Sequence, residues 1–395
     1  MKLLFICCLF FFSTIAYSQY RFDNVKFNTV YWDELCKTLN QNPEHLILDV
    51  RSKGEYEDTS ASKGLNIGHL KGAVNIDIRE LGGRLKEIEA YKNKPVFVYC
   101  SHSQRSRRVS KMLADSGFAK IYNINGGVSN LRLFQFKEDC DLLTSNLPYQ
   151  IVSPSVLTKA NDYFVLDVRS DSAFKGISTV ERRNAIGKLK SAVNIPLSVL
   201  EQNLSQLPKD KKILIVDEFG NDSPSAAELL NKNGFTNLFV LFDGLDGFLS
   251  EIPEKERNNW TTPASYHIIN ATAFDQLMKT NAPTVLDIRL AEDFSNTSKL
   301  GFRNIGNIKG AINIPPNEWD KQFASLPANK EKPVVVYGFG GSNEVYDAAK
   351  KLSAQGYKNV YVLAGGLFNI RWRAANIKGL EYLKDWVVNV PPDNQ

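Results

Sequence analysis

Short, continuously apolar runs alternate along this chain with stretches whose apolar residues fall three and four positions apart. His45-Leu46-Ile47-Leu48, Ala73-Val74-Asn75-Ile76 and Pro95 to Tyr99 are too short for helices and predict strands. Val109, Met112 and Leu113 follow at the i, i+3, i+4 spacing of one helix face, and Gly117 suits the position just beyond that helix. Apolar strands without polar alternation are covered on both faces, so the pattern predicts a mostly parallel sheet flanked by helices, an α/β fold.

The pattern occurs three times. Leu48-Asp49-Val50-Arg51 returns as Leu166-Asp167-Val168-Arg169 and Leu286-Asp287-Ile288-Arg289, about 120 residues apart each time. Gly72 to Ile76 matches Ser191 to Ile195 and Gly310 to Ile314. Val96-Phe97-Val98-Tyr99 matches Ile213 to Val216 and Val334 to Tyr337, and helical stretches end near Gly117, Gly234 and Gly356. The expected organisation is three tandem α/β domains at 19–143, 148–252 and 264–380, with a tail over 381–395. The linkers are expected near Thr144–Gln150 and Pro253–Pro263, the second as a solvated stretch, and the tail is expected to fray or lie along the last domain.

The first residues follow a different rule. Lys2 precedes an unbroken apolar stretch from Leu3 to Phe12, and Ala16-Tyr17-Ser18 places small residues at a cleavage site. Residues 1–18 read as a signal peptide, so the expected setting is exported, periplasmic or secreted, with no membrane span after cleavage. The net charge of +5 in 395 residues is small, falls by one with removal of Lys2, and forms no basic stripe. A nucleic-acid partner is therefore not expected. Cleavage leaves Cys36, Cys100 and Cys140, an odd number, so at least one thiol lacks an intramolecular partner. Cys36 sits in a helical stretch and reads by default as a core residue. A Cys36–Cys140 pair, leaving Cys100 free, is the alternative.

Cys100 directly follows the central strand, in Cys100-Ser101-His102-Ser103-Gln104-Arg105-Ser106, and a helix starts at once. Open α/β sheets place their chemistry at such strand-to-helix junctions. A cysteine here faces backbone N–H groups and the positive end of a helix dipole, which favour thiolate, and Arg105 adds a positive charge. With the Asp-Val-Arg strand end, Gly68 to Ile76, and Gly126-Gly127 after the last strand, this loop resembles that of the rhodanese family of sulfurtransferases. Gly365-Gly366 matches the glycine pair in the third copy, and Asp243-Gly244 stands there in the second. The family loop reads Cys-x-x-Gly-x-Arg-Ser/Ala, so Cys100, Arg105 and Ser106 match while Ser103 replaces the glycine. Related phosphatases have five residues between Cys and Arg; four stand between Cys100 and Arg105, which favours a sulfur-sized ligand.

The resemblance implies that Cys100 takes a sulfane sulfur from thiosulfate or a persulfide and passes it to a thiol or cyanide. It makes Ser101, His102, Ser103, Gln104, Arg105 and Ser106 the substrate-binding residues. It implies a small sulfur donor and a thiol acceptor as partners and no cofactor. The second and third copies carry Asp217 and Gly338 in place of Cys100, with Asp222 and Asn343 in place of Arg105. Both are expected to be silent in sulfur transfer and free to scaffold or to meet a protein partner. Asp49 and Arg51 persist in the silent copies, so they read as structural. His69, which becomes Lys188 and Asn307, reads as a packing residue rather than a base. No His/Cys/Asp cluster has metal-ligand spacing and no phosphate or dinucleotide loop follows a strand, so no metal site is expected. A non-catalytic scaffold of three interaction modules and a thiol redox protein are the rival readings.

Overall fold

The computed structural model describes residues 26–134, 141–322, 326 and 328–392. The signal-peptide reading and Cys140 fall outside them. Each domain is built on a five-stranded parallel sheet. In the first, strands Asn28–Val30, Lys120–Ile124, Pro95–Tyr99, Leu46–Asp49 and Val74–Asn75 lie side by side in that order. The second and third domains repeat the order around central strands Lys212–Val216 and Val334–Tyr337. The central strand is buried along its length in all three, as strands covered on both faces must be.

The helix after each central strand stops where the sequence signals. Gln104–Asp115, Asp222–Lys232 and Asn343–Ala354 end two residues before Gly117, Gly234 and Gly356, which have φ of 84°, 82° and 90°. Only glycine enters that region without strain.

At the end of each second strand an Asp and an Arg close on one another. Arg51 Nη2 lies 2.7 Å from Asp49 and donates to Gly68 O at 2.8 Å. Arg169 repeats this with Asp167 and Gly187 O, and Arg289 with Asp287 and Gly306 O. All six side chains are buried, and the geometry recurs in domains lacking the cysteine, as expected of a structural pair. His69 stacks obliquely on Tyr56, with centroids 4.2 Å apart.

A segment following each domain pairs with a short strand outside its five-stranded sheet. Leu143–Thr144 runs antiparallel to His69–Leu70, Trp260–Thr261 to Lys188–Leu189, and Val387–Val388 to Asn307–Ile308. Pro253–Pro263 is therefore not simply a solvated stretch: Arg257 is buried, and the Trp260 indole donates to Ile186 O at 2.7 Å. The tail lies along the last domain through Val387–Val388 and does not fray there. Apolar side chains of the second and third domains form one continuous core, from Leu245 and Phe248 to Tyr266 and Ile268. Among the described residues, no helix is long and apolar enough to cross a membrane, and no three His, Cys, Asp or Glu residues group as a metal site.

Removing one member of a buried ion pair strands the other charge away from water, at a cost of about 3–5 kcal/mol. Asp167→Ala, in a domain without the cysteine, is expected to lower the unfolding free energy by about that amount, read as a downward shift in urea midpoint.

Candidate functional site

Cys100 leaves the central strand at its C-terminal end and is 1% exposed. Its backbone is held from the far side of the sheet. Val128 N donates to Cys100 O and Ser129 N to Ser101 O, both at 3.0 Å, so helix Gly127–Phe134 grips the loop. Gly127 has φ of 61°, and a Cβ there would collide with the carbonyl oxygens of Cys100 and Ser101. The site therefore needs the second glycine of the pair. The Trp32 indole fixes the same helix by donating to Gly127 O at 2.9 Å.

Ser103 shows how the loop does without the family glycine. It takes φ of 72°, the left-handed region, and its buried hydroxyl accepts from Gly126 N at 2.5 Å and donates to Asn125 Oδ1 at 3.4 Å. Hydrogen bonds to the side chain offset the steric cost that glycine would avoid. Ser106 is also buried, its Oγ donating to Asn123 Oδ1 at 2.7 Å, whereas Gln104 is exposed at the helix start.

Arg105 does not stand as an uncompensated charge beside the thiol. Glu55 holds it in a bidentate pair, Nη1 to Oε2 at 2.6 Å and Nη2 to Oε1 at 2.7 Å, and Nη2 also donates to Ser101 Oγ at 2.9 Å. Glu55 is itself fixed as the third residue of helix Lys53–Tyr56, in a capping box with Ser52. Burial opposes its ionisation, but the Arg105 hydrogen bonds and charge, with Ser52, outweigh that and hold the carboxyl below the usual range. Sequence reading missed Glu55. The signal available was its absence from the copies without the cysteine, where Ala173 and Asp293 follow the strand-end Asp at the same distance.

His102 stands on the rim with an exposed edge. Its Nε2 shares a 3.1 Å hydrogen bond with Ser129 Oγ, and its carbonyl accepts from the Trp372 indole of the third domain at 3.3 Å. Desolvation of the ring, reinforced by the Arg105 charge, pushes its pKa well below the ordinary imidazole value, so the ring is neutral at pH 7.

The second domain displays what this loop geometry can hold. There the Asp217 carboxylate, in place of the Cys100 side chain, accepts from Gly220 N and Asp222 N at 2.5 Å and Ser223 N at 2.9 Å. The equivalent amides in the first domain belong to Ser103, Arg105 and Ser106. The loop is thus an anion cradle, filled in the second domain by the chain's own carboxylate. Of the two cysteines among the described residues, Cys100 is free and Cys36 is disulfide-bonded. That corrects the core-thiol expectation for Cys36; its partner lies outside the described residues.

The Rhodanese-like domain family matches residues 32–133, 155–251 and 270–371. The uncharacterized protein YqhL of Bacillus subtilis is 35% identical over 104 residues, 25% of this chain and 74% of its own length. A tRNA uridine(34) hydroxylase of Cytophaga hutchinsonii is 29% identical over 106 residues, 26% of this chain; the match spans only 31% of that protein. A thiosulfate sulfurtransferase structure from Pseudomonas aeruginosa aligns over 88% of this chain and 65% of its own, at 18% identity and a TM-score of 0.24.

Glu55→Gln leaves Arg105 with a weaker, neutral partner and is expected to cost on the order of 1–3 kcal/mol at pH 7. The folded-state pKa of Glu55 lies below the unfolded value of about 4.3, so its contribution is complete above that pH and lost on acidification through the folded pKa. Denaturation of both proteins from pH 7 to pH 3 checks this: the gap should hold down to about pH 5 and narrow progressively once the pH falls below about 4.3.

Proposed function

Because the chain belongs to the rhodanese-like domain family and carries three such domains, we propose that its first domain is a sulfurtransferase working through a Cys100 persulfide. The observation that carries this reading is the free Cys100 at the position whose second-domain counterpart, Asp217, fills a cradle of backbone amides. In the first half-reaction the Cys100 thiolate attacks the outer sulfur of thiosulfate. The new S–S bond forms as the old one breaks, and sulfite leaves with the electron pair. A small-molecule persulfide would serve in the same way, with its thiolate as leaving group. In this reading the amides of Ser103, Arg105 and Ser106 hold the negative terminal sulfur. In the second half-reaction an acceptor thiolate or cyanide attacks that sulfur, and Cys100 departs as thiolate.

Arg105 favours an anionic donor at the rim, and Glu55 sets the direction in which its guanidinium faces. His102 is neutral at pH 7, which suits hydrogen bonding to a substrate better than charge pairing. The other two domains lack the nucleophile, and their part in this reading is support of the first.

Wild-type protein given thiosulfate is expected to gain about 32 Da on Cys100 and to yield thiocyanate when cyanide is added. Cys100→Ala should do neither. Absence of the persulfide and of thiocyanate in the wild type, with thiosulfate or any other sulfane donor, would overturn the reading.

We further propose export, on the apolar stretch from Leu3 to Phe12 and the small residues at Ala16 and Ser18. The intact mass of protein recovered outside the cytoplasm should correspond to a chain beginning at Gln19, and a retained Met1 would contradict it.

A further inference from the structure

Three residues after Cys100 stands Ser103, and three residues after Asp217 stands Gly220. Both turn the chain through the left-handed region, with φ of 72° and 74°. Glycine holds that conformation at no steric cost, whereas serine needs partners that repay it. The residue ahead of Gly126-Gly127 changes in step. It is Asn125 in the domain with Ser103, and in the second domain its counterpart ahead of Asp243-Gly244 is Phe242. Each donates its backbone N–H to the outer strand at 2.9 Å, Asn125 to Val30 O and Phe242 to Val152 O. In the third domain the position is Ala364, bonded in the same way to Ile269 O, and none of the loop residues 338–343 has a positive φ. A side-chain amide thus stands at this position only where a serine has to be held in the turn.

Asn125 is buried, and its amide is oriented from both ends. Nδ2 donates at 2.8 Å to Ala375 O, one of the last four carbonyls of the third domain's helix Gly366–Asn376, which have no partner within that helix. Oδ1 accepts from Arg107 Nη2 at 2.9 Å. A carbonyl only accepts and a guanidinium only donates, so the amide cannot be turned over. Oδ1 is therefore the end that faces the Ser103 hydroxyl, at 3.4 Å. Ser103 Oγ already accepts from Gly126 N and the side chain is 2% exposed, so its proton goes to Oδ1. Turned over, the amide would take that acceptor away.

The turn at Ser103 decides where the loop amides aim. Arg107 N and Ser106 Oγ both donate to Ser103 O, at 3.0 and 3.1 Å, so the first turn of helix Gln104–Asp115 is built on this residue. The amides of Ser103, Arg105 and Ser106 are the counterparts of the three that hold the Asp217 carboxylate. Leaving the left-handed region would swing the Ser103 N–H and shift the helix start that carries the other two.

Resting on the sulfur-transfer reading above, we propose that Asn125 is a positioning residue for Cys100: oriented by Ala375 O of the third domain, it holds Ser103 in the turn that aims the loop amides at the reacting sulfur. The third domain thereby takes part in a reaction whose nucleophile lies in the first.

The test is a cycle of four full-length proteins: wild type, Asn125→Ala, Ser103→Gly and the double variant. Each is mixed with thiosulfate, and the gain of about 32 Da on Cys100 is followed in time by mass. Asn125→Ala is expected to load about tenfold more slowly than the wild type. In the Ser103→Gly background the same substitution should slow loading by less than about twofold, because glycine keeps the turn unaided. The factor is read within each background, whatever the rate of Ser103→Gly itself. Equal slowing in both backgrounds would overturn the proposal, since Asn125 would then act on the domain as a whole. So would no slowing in either, or a Ser103→Gly protein that cannot load. Should circular dichroism show Asn125→Ala unfolded, Asn125→Ser takes its place with the same expectations, since serine keeps the position polar but is too short to join Ser103 to Ala375. Failure of the wild type to load from any sulfane donor is the distinct failure of the sulfur-transfer reading, and the proposal falls with it.

Discussion

A carboxylate and a guanidinium two residues apart, both shut away from water, hold the working end of every domain in place. Asp49 binds Arg51 through Nε and Nη2, and Arg51 reaches on to Gly68 O, where the chain turns into its short antiparallel ribbon. Asn75 of the neighbouring strand then donates to both Asp49 O and Arg51 O, at 3.1 and 3.0 Å. Asn194 and Asn313 make the same two bonds in the other domains. A buried charge pair tolerates little displacement, because its desolvation cost is balanced only while the geometry is kept. The strand ends beside the loop are therefore pinned at one level, and the amides after the central strand converge on one point.

On this common frame the three loops have gone separate ways by changing few side chains. The first presents a thiol, with its arginine tied to Glu55. The second fills its cradle with Asp217 and covers its mouth with Arg182. The third has Gly338 where a nucleophile would stand and aromatic rings at its mouth. The frame persists where the cysteine is absent because its bonds run between strand ends and never pass through residue 100. This also explains why Asp49 and Arg51, the most regular polar feature of the sequence, are uninformative about activity.

The domains meet at their working ends. Asn125, which accepts from Ser103, donates to Ala375 O at 2.8 Å, and Arg107 donates to the same carbonyl at 3.1 Å. Lys378 pairs with Asp33 and Glu34 of the first domain. Lys63 pairs with Glu228, and Glu181 with Lys350, so the second and third domains are each joined to their predecessor through the helix behind the loop. The third domain thus presses on the Cys100 loop although 270 positions separate Trp372 from His102.

The sequence alone determined what depends on short-range order. Apolar runs of strand length, helices closed by glycine at positive φ, and a repeat near 120 residues suffice for three α/β domains and place Cys100 at a strand-to-helix junction. Local periodicity carries that information because hydrogen bonds within helices, and burial of both faces of a sheet, constrain neighbouring residues. What depends on approach through space was not legible. Glu55 has meaning only because the fold brings it to Arg105, 50 positions away, and Ser103 occupies a left-handed turn only because Gly126 N and Asn125 Oδ1 wait there. Segments read as linkers, and the tail after the last domain, form strands because the ribbon at His69, Lys188 and Asn307 needs an antiparallel partner. Tertiary structure decided these matters, and with them which mouth surrounds a free thiol, which holds a carboxylate and which is lined by aromatic rings. Each depends on the energy of a contact between distant residues, and no spacing along the chain encodes that energy.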